Sequence, residues 1–396
     1  MSNCQELEQR YFLSTVKRLP LTLVRGEGML VWDKQGKHYL DFVGGWGVDS
    51  LGHCHPAVVH AVASQAGTLI QVSNHYYTIP QIELARLLVE NSCLDKVFLC
   101  NSGAEANEGA VKLARRYGRL HLGGAYEVIT AENSFHGRTL AMVAASGQKK
   151  LQEPYTPLPA GFVNVPFDDI EAIQKATTKD TCAVMLELVQ GEGGVNIPAE
   201  GYLRHVSDWC QQKGMLLILD EIQTGIGRLG KLFGYELFGV QPDIITLAKG
   251  LGGGIPIAAF LAKERAAVFS PGEHGSTFGG NPVACAAAHA TLKFIIENDI
   301  PRSAGRMGHR LLDGLGRLKA KYDFVVDARG CGLLAALEFD RDLSDAVVRA
   351  CIEGGLLVNP VKLNAIRFMP PLIVQENEVD EALRILDGML ANLAAG

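Results

Sequence analysis

Short runs of apolar residues recur through the middle of the chain, at 96–100, 127–130, 182–188, 216–219, 244–248 and 257–262. Between several of them lie stretches whose apolar residues return every third or fourth position, at 82–90, 105–120 and 202–213. The short uninterrupted runs read as strands buried on both faces. Alternating with amphipathic helices, they predict an α/β fold with a mostly parallel central sheet. Ligands of such sheets bind beyond the carboxyl ends of the strands, so the residues just after each run are the place to look for chemistry.

The flanks read differently. Residues 29–32, the polar turn Asp33-Lys34-Gln35-Gly36-Lys37 and residues 38–42 predict a β-hairpin. Beyond Pro301 the pattern predicts a helix at 302–322, a strand at 333–339 and a final helix at 378–393. We expect a large domain at 53–300 and a smaller α+β domain built from both chain ends, 1–52 and 301–396. The 396 residues are enough for both. With 47% hydrophobic and 20% charged residues, the chain can bury a large core. A net charge of −6 without a Lys/Arg-rich run argues against nucleic acid or an anionic membrane as partner. The start, Met1 to Glu6, lacks the basic and apolar regions of a leader, and the longest apolar runs are too short to span a bilayer. Nine cysteines, scattered from Cys4 to Cys351 without a Cys-x-x-Cys pair, suggest reduced thiols in the cytoplasm. We read all nine as small buried hydrophobes.

Three strand ends carry unusual residues. After 97–100 comes Asn101-Ser102-Gly103-Ala104-Glu105, a small turn opening a helix. It reads either as a plain cap by Ser102 or as a phosphate site at a helix start. After 216–219 come Asp220 and Glu221, either an ion pair or cap, or a buried carboxylate with a task. After 244–248 comes Lys249, either reaching to the surface or desolvated and nucleophilic. One cofactor needs all three groups on neighbouring strand ends. Pyridoxal phosphate has a phosphate, a ring nitrogen kept protonated by a carboxylate, and an aldehyde that condenses with lysine. Competing motifs are weaker. Gly225-Ile226-Gly227-Arg228-Leu229-Gly230 matches a dinucleotide fingerprint and leaves a nicotinamide oxidoreductase as the alternative. Pro242 and two glycines at 232–240, however, leave no long helix after it. Gly252–Gly254 lacks the ending of a P-loop, and His53 and His55 have no third metal ligand at a recognised spacing. We expect no metal site there, only a turn into a helix.

At this point a resemblance adds to the reading. The chain resembles the class III, ornithine-type subgroup of fold-type I pyridoxal-phosphate aminotransferases from about residue 19 to about residue 390. The likeness is carried by Asn101 to Glu108, Asn133-Ser134-Phe135-His136-Gly137-Arg138-Thr139-Leu140, Gln190-Gly191-Glu192-Gly193-Gly194, Asp220 to Gly227, Leu247 to Gly254 and His274 to Pro282. It implies that Ser102, Gly103 and Ala104 hold the phosphate and that Phe135 stacks on the ring. Asp220 would pair with the ring nitrogen, Gln223 would reach the ring hydroxyl, and Lys249 would bind the aldehyde. Thr277 would hold phosphate, and Ser276 would lie near substrate, in the neighbouring subunit's site of an obligatory homodimer. Arg138 would take the donor's α-carboxylate and Arg367 the α-carboxylate of glutamate. Glu192 would cover Arg367 for the long amine substrate and swing aside for glutamate. The implied reaction moves the terminal amine of Nα-acetylornithine to 2-oxoglutarate, giving N-acetylglutamate 5-semialdehyde and glutamate, within arginine biosynthesis, whose own direction is the reverse. Succinylornithine, free ornithine, 4-aminobutyrate and carrier-bound lysine remain alternative donors, and a catalytically silent relative is a further alternative. Two departures stand out: Leu188-Val189 follow Glu187 where the family usually has Pro-Ile, and Val16 stands where many relatives carry tyrosine. The second argues against free ornithine.

Overall fold

The computed structural model describes residues 4–395. Met1 to Asn3, part of the segment weighed as a leader, lie outside the described residues. Near the start, β1 (Leu23–Glu27), β2 (Leu30–Asp33) and β3 (His38–Asp41) form an antiparallel ribbon. The expected hairpin joins β2 to β3. Asp33 makes its turn: Oδ1 accepts from the Gln35 and Lys37 amides at 2.9 and 3.0 Å, while Tyr39 Oη donates to Oδ2 at 2.8 Å.

The central sheet has seven strands: β4 (Lys96–Cys100), β5 (Glu127–Ala131), β6 (Phe162–Val165), β7 (Thr181–Glu187), β8 (Leu216–Asp220), β9 (Ile244–Leu247) and β10 (Ala258–Ala262). Their spatial order is β4-β10-β9-β8-β7-β5-β6. Only β10 runs against its neighbours. The chain therefore forms the expected α/β fold with a mostly parallel sheet. Every residue of β7, β8, β9 and β10 is buried, because helices cover both faces. The helix Gly103–His121 presses on β10 so closely that a Cβ on Gly109 would lie 2.3 Å from a Phe260 ring carbon. β6 was not expected: Asn164 interrupts its apolar pattern, and that side chain is spent on bonds to Thr130 and Ala145.

The C-terminal segment contributes β11 (Val325–Cys331), β12 (Leu334–Phe339), β13 (Leu356–Leu357), β14 (Asn359–Lys362) and β15 (Ala365–Phe368). Four of them form a sheet in the order β11-β12-β15-β14. β13 instead joins the N-terminal ribbon, pairing parallel to β3 through Leu356 and Leu40. Helices Ile300–Lys321 and Glu376–Ala395 match the two expected there. The cysteine expectation needs correction: Cys4 and Cys54 are exposed, while Cys93 and Cys331 are half-buried. Cys54 sits in a tight turn with φ of +52°, which holds it outside the core.

Candidate active site

Register brings the chemistry together. In the parallel ladder Glu187 of β7 lies beside Asp220 of β8, and Asp220 beside Thr246 of β9. Two carboxylates thus end neighbouring strands, and Lys249 follows three residues beyond Thr246. The helix Gly103–His121 starts at the end of β4, with Ser102 Oγ accepting from the Glu105 amide at 3.3 Å. The Gly103 and Ala104 amides belong to its first turn, which has no intrahelical acceptor for them. These pieces wall a cavity of about 440 Å³, a size suited to a small cofactor and its substrate. Ser102, Gly103, Ala104, Phe135, Arg138, Glu192, Asp220, Gln223 and Lys249 all line it.

Asp220 is nearly wholly buried, and both its oxygens have hydrogen-bond partners. Oδ2 accepts from Asn107 Nδ2 at 2.8 Å and lies 2.8 Å from His136 Nδ1, while Oδ1 accepts from the Ile222 amide at 3.0 Å. Asn107 also donates to the His136 carbonyl at 2.7 Å, so the three side chains form one unit. Lys249 makes no hydrogen bond or ion pair among the described residues. Burial pushes its amine below the ordinary lysine value, with the Arg367 charge acting in the same direction against Glu192 and Asp220. An unpaired amine in a cavity wall, its pKa lowered by burial, is placed to attack a carbonyl.

Glu187 was noted in the sequence only for the residues after it. It spans the cavity wall, Oε1 accepting from the Phe135 amide at 2.9 Å and Oε2 from the Gly191 amide at 3.0 Å. Burial, with Asp220 nearby, pushes its carboxyl up to about 7. Arg367 is fully buried behind Glu192 and pairs with it at 2.7 Å. Gln223 sits between them: Oε1 accepts from Arg367 at 3.2 Å and Nε2 donates to Glu192 at 3.4 Å. Arg367 Nε and Nη2 are buried without partners among the described residues. Burial would raise the Glu192 carboxyl, but Arg367 and Lys249 outweigh it and hold it below the ordinary value. Arg138 is exposed at the cavity mouth, 5.3 Å from the centre of the Phe135 ring, and makes no ion pair among the described residues.

Other candidates fall elsewhere. Ser276 and Thr277 do not line the cavity. Ser276 Oγ accepts from Asn101 Nδ2 at 3.2 Å, and Thr277 is exposed, its carbonyl held by Gln71. His55 caps the helix Pro56–Ala66 and His53 bonds Asp41 at 2.8 Å, as a turn into a helix requires. Residues Gly225 to Gly230 seat Arg228, which donates to the Leu333 and Pro370 carbonyls, and only a five-residue helix, Gly234–Phe238, follows. The Glu187 signal was present, since it ends a buried strand just as Asp220 does. His136 and Asn107 had no such signal, because their role depends on which strand end faces them.

The donor set fits pyridoxal phosphate. It combines helix-start amides beside Ser102, a buried carboxylate fixed by two neighbours, an aromatic face and an unpaired amine. No helix among the described residues is long and apolar enough to cross a membrane. Residues 11–390 match the family model described as aminotransferase class-III. The chain is 52% identical to the acetylornithine aminotransferase of Caldanaerobacter subterraneus subsp. tengcongensis, covering 98% of each chain. Among solved structures it resembles an ornithine aminotransferase from Toxoplasma gondii, described with pyridoxal phosphate at partial occupancy, with TM-score 0.95, 34% identity and 98% and 93% coverage. It also resembles the acetylornithine aminotransferase of Elizabethkingia anophelis, with TM-score 0.88, 35% identity and 98% of both chains covered.

Proposed function

The chain belongs to the class-III aminotransferases and is a pyridoxal-phosphate-dependent transaminase, and we propose that it moves the terminal amine of Nα-acetylornithine to 2-oxoglutarate. The observation that carries this reading is the pair between Glu192, which lines the cavity together with Lys249, and Arg367 buried behind it. A site serving two amino compounds of different charge needs a cation that can be covered for one and uncovered for the other. Relatives about 50% identical over nearly their whole length bear the acetylornithine name, which supports the choice of donor.

When bound, pyridoxal phosphate supplies a carbonyl for amines and a ring that accepts the electron pair left by a departing proton. The residues of this chain do the rest. Ser102, Gly103 and Ala104 hold the phosphate at the helix start. Asp220, steadied by Asn107 and His136, places a negative charge against the ring nitrogen. Phe135, in the cavity wall, would offer an aromatic face to the ring. Lys249 Nζ, unpaired and below its ordinary pKa, would hold the cofactor's carbonyl group and would be the base that moves a proton at the reacting carbon. Arg138 takes the donor's carboxylate at the mouth by a paired, charge-assisted contact. When 2-oxoglutarate enters, Glu192 would leave Arg367 Nη1 and open the guanidinium, with its unpartnered Nε and Nη2, to one carboxylate.

A second copy belongs to the same proposal. Thr277 and Ser276 lie outside their own cavity, and Ile70, Tyr77, Ile79 and Phe278 are exposed, Tyr77 by 95%. A partner subunit would cover this apolar surface and receive Thr277 at its phosphate. We likewise place the domain limits near residues 52 and 300, and the protein in the cytoplasm, where its free cysteines suit a reducing medium. The test is donor profiling of the purified protein with 2-oxoglutarate. Nα-acetylornithine should give the highest kcat/KM; succinylornithine, ornithine, 4-aminobutyrate or carrier-bound lysine in that position would replace it. Borohydride should fix the cofactor to the wild type and not to Lys249→Ala, and labelling of the variant would overturn the lysine assignment.

A further inference from the structure

The loop that carries Glu192 is gripped from two sides. On the central-sheet side, Glu187 holds the Gly191 amide at 3.0 Å. On the C-terminal side, Arg329 of β11 donates to the Gly194 carbonyl, through Nη2 at 2.6 Å and Nε at 3.0 Å, and to the Val195 carbonyl at 3.2 Å. The remaining arm of Arg329 is fixed by Asp327 at 2.8 Å and Glu338 at 2.6 Å. The guanidinium is therefore charge-balanced and aimed. Gly194 has φ of +119°, and a Cβ there would lie 2.5 Å from Lys362 of β14, so the sheet also confines the loop sterically.

The sheet register explains the grip. Arg329 pairs with Ala336 of β12, and Ala336 pairs with Arg367 of β15. Directly opposed residues share a face, so both arginines project from one face of the sheet. They are two strand spacings apart, roughly 10 Å, with only a methyl group between them. Residues 192–195 bridge that interval. The Glu192 carboxylate sits on Arg367 and the Gly194 carbonyl on Arg329, while Val195 belongs to the same buried apolar cluster as Ala336 and Leu334. Backbone bonds between Gln190 and Asn196, at 3.0 and 3.1 Å, close the loop at its base. With its frame held at three points, Glu192 could uncover Arg367 only by side-chain rotation under the switch reading above.

We infer that Arg329 is a specificity-determining positioning residue, which sets how firmly Glu192 covers Arg367 and thereby the balance between the amine donor and the dicarboxylate. The inference rests on the switch reading proposed above. Loosening the frame makes the pair pay for ordering the loop, so Arg367 becomes easier to reach. Weakening the pair by about 1 kcal/mol, the net worth of one hydrogen bond, corresponds to about a fivefold change.

The test compares wild type, Arg329→Met, Arg329→Lys, Glu192→Ala and the double variant Glu192→Ala/Arg329→Met. The readouts are the Kd of glutarate, an unreactive dicarboxylate, and KM for Nα-acetylornithine and 2-oxoglutarate. Arg329→Met should tighten glutarate about fivefold and raise KM for acetylornithine relative to that for 2-oxoglutarate. Arg329→Lys, which keeps a cation between Asp327 and Glu338, should recover part of the wild-type ratio and decides the matter if the methionine variant does not fold. The double variant should bind glutarate as Glu192→Ala does, since Arg329 acts through Glu192. If Glu192→Ala itself leaves glutarate binding unchanged, the switch reading fails. If Glu192→Ala shifts it while both Arg329 variants keep the wild-type Kd and KM ratio, or lose stability alone, the positioning role is overturned.

Discussion

Replacing Glu192 by alanine removes the one carboxylate that pairs with Arg367 among the described residues. The contact is short, at 2.7 Å, and charge-assisted, which places it at about 1.5–3 kcal/mol. The Glu192 side chain is 34% exposed, so solvent screening favours the lower end, about 1.5 kcal/mol. A dicarboxylate that reaches Arg367 must first displace Glu192. In the variant that cost disappears, and the Kd of glutarate should fall about tenfold, the factor for about 1.4 kcal/mol. The ligand-free variant should also unfold earlier, because Arg367 is buried with two nitrogens already unpartnered. Breaking a fully buried pair costs 3–5 kcal/mol, which exposure reduces here to about 1–2 kcal/mol. Titration calorimetry with glutarate and thermal unfolding with and without it measure both effects. Arg367 and Lys249 hold the Glu192 carboxyl below its ordinary 4.5. Its contribution is therefore complete above pH 4.5 and is lost as pH falls through the depressed value. The two proteins should accordingly converge in acid. Equal glutarate affinity at neutral pH would refute the reasoning.

Asp220→Asn keeps the shape and the neighbours of Asp220 but removes its charge. We expect kcat to fall by on the order of 10²–10³, with KM little changed, in steady-state assays; a near-normal kcat would show that the charge is not used. Gly191→Ala would set a Cβ 1.6 Å from Gln223 Oε1 and drive that side chain off Arg367 and Glu192. Urea unfolding should show a loss of about 1–3 kcal/mol, together with a lower kcat/KM for glutamate, and a variant with wild-type values in both contradicts the packing described. Glu221 is fully buried on the Gly234 and Tyr235 amides, and burial pushes its carboxyl up to about 8. Between pH 4.5 and about 8 the folded carboxyl keeps a proton that the unfolded one releases, so this group makes stability fall as pH rises. Glu221→Gln should flatten that slope in urea midpoints measured against pH, and an unchanged slope counts against the buried acid as its source.

Much of this site was legible because parallel sheets collect chemistry at strand ends. Asp220 and Lys249 each follow an apolar run directly, so local pattern and topology pointed to the same residues. Arg138, Glu192 and Arg367 lacked that local signal and were reached through whole motifs. Glu187, His136, Asn107 and Arg329 were missed as working residues. Their partners come from other elements, and only register and helix placement reveal those pairings. The reversed direction of β10 was equally invisible, since a buried apolar run reads the same in either direction. Cys4 and Cys54 misled because residue type stood in for position.

The pairing of β3 with β13 joins Leu40 to Leu356 across most of the polypeptide. During synthesis, a chain complete only to Phe339 already carries Lys249, Asp220 and the helix start beside Ser102, yet its ribbon has an open edge at β3 and it has no Arg367. Such an intermediate presents an unpaired strand to its neighbours and has the cofactor-side residues without the dicarboxylate-side arginine. Closing that edge depends on a contact between residues more than 300 apart in sequence, which is slow to find. Under the switch proposed above, discrimination between substrates would thus be acquired last, when the end of the polypeptide returns to its beginning.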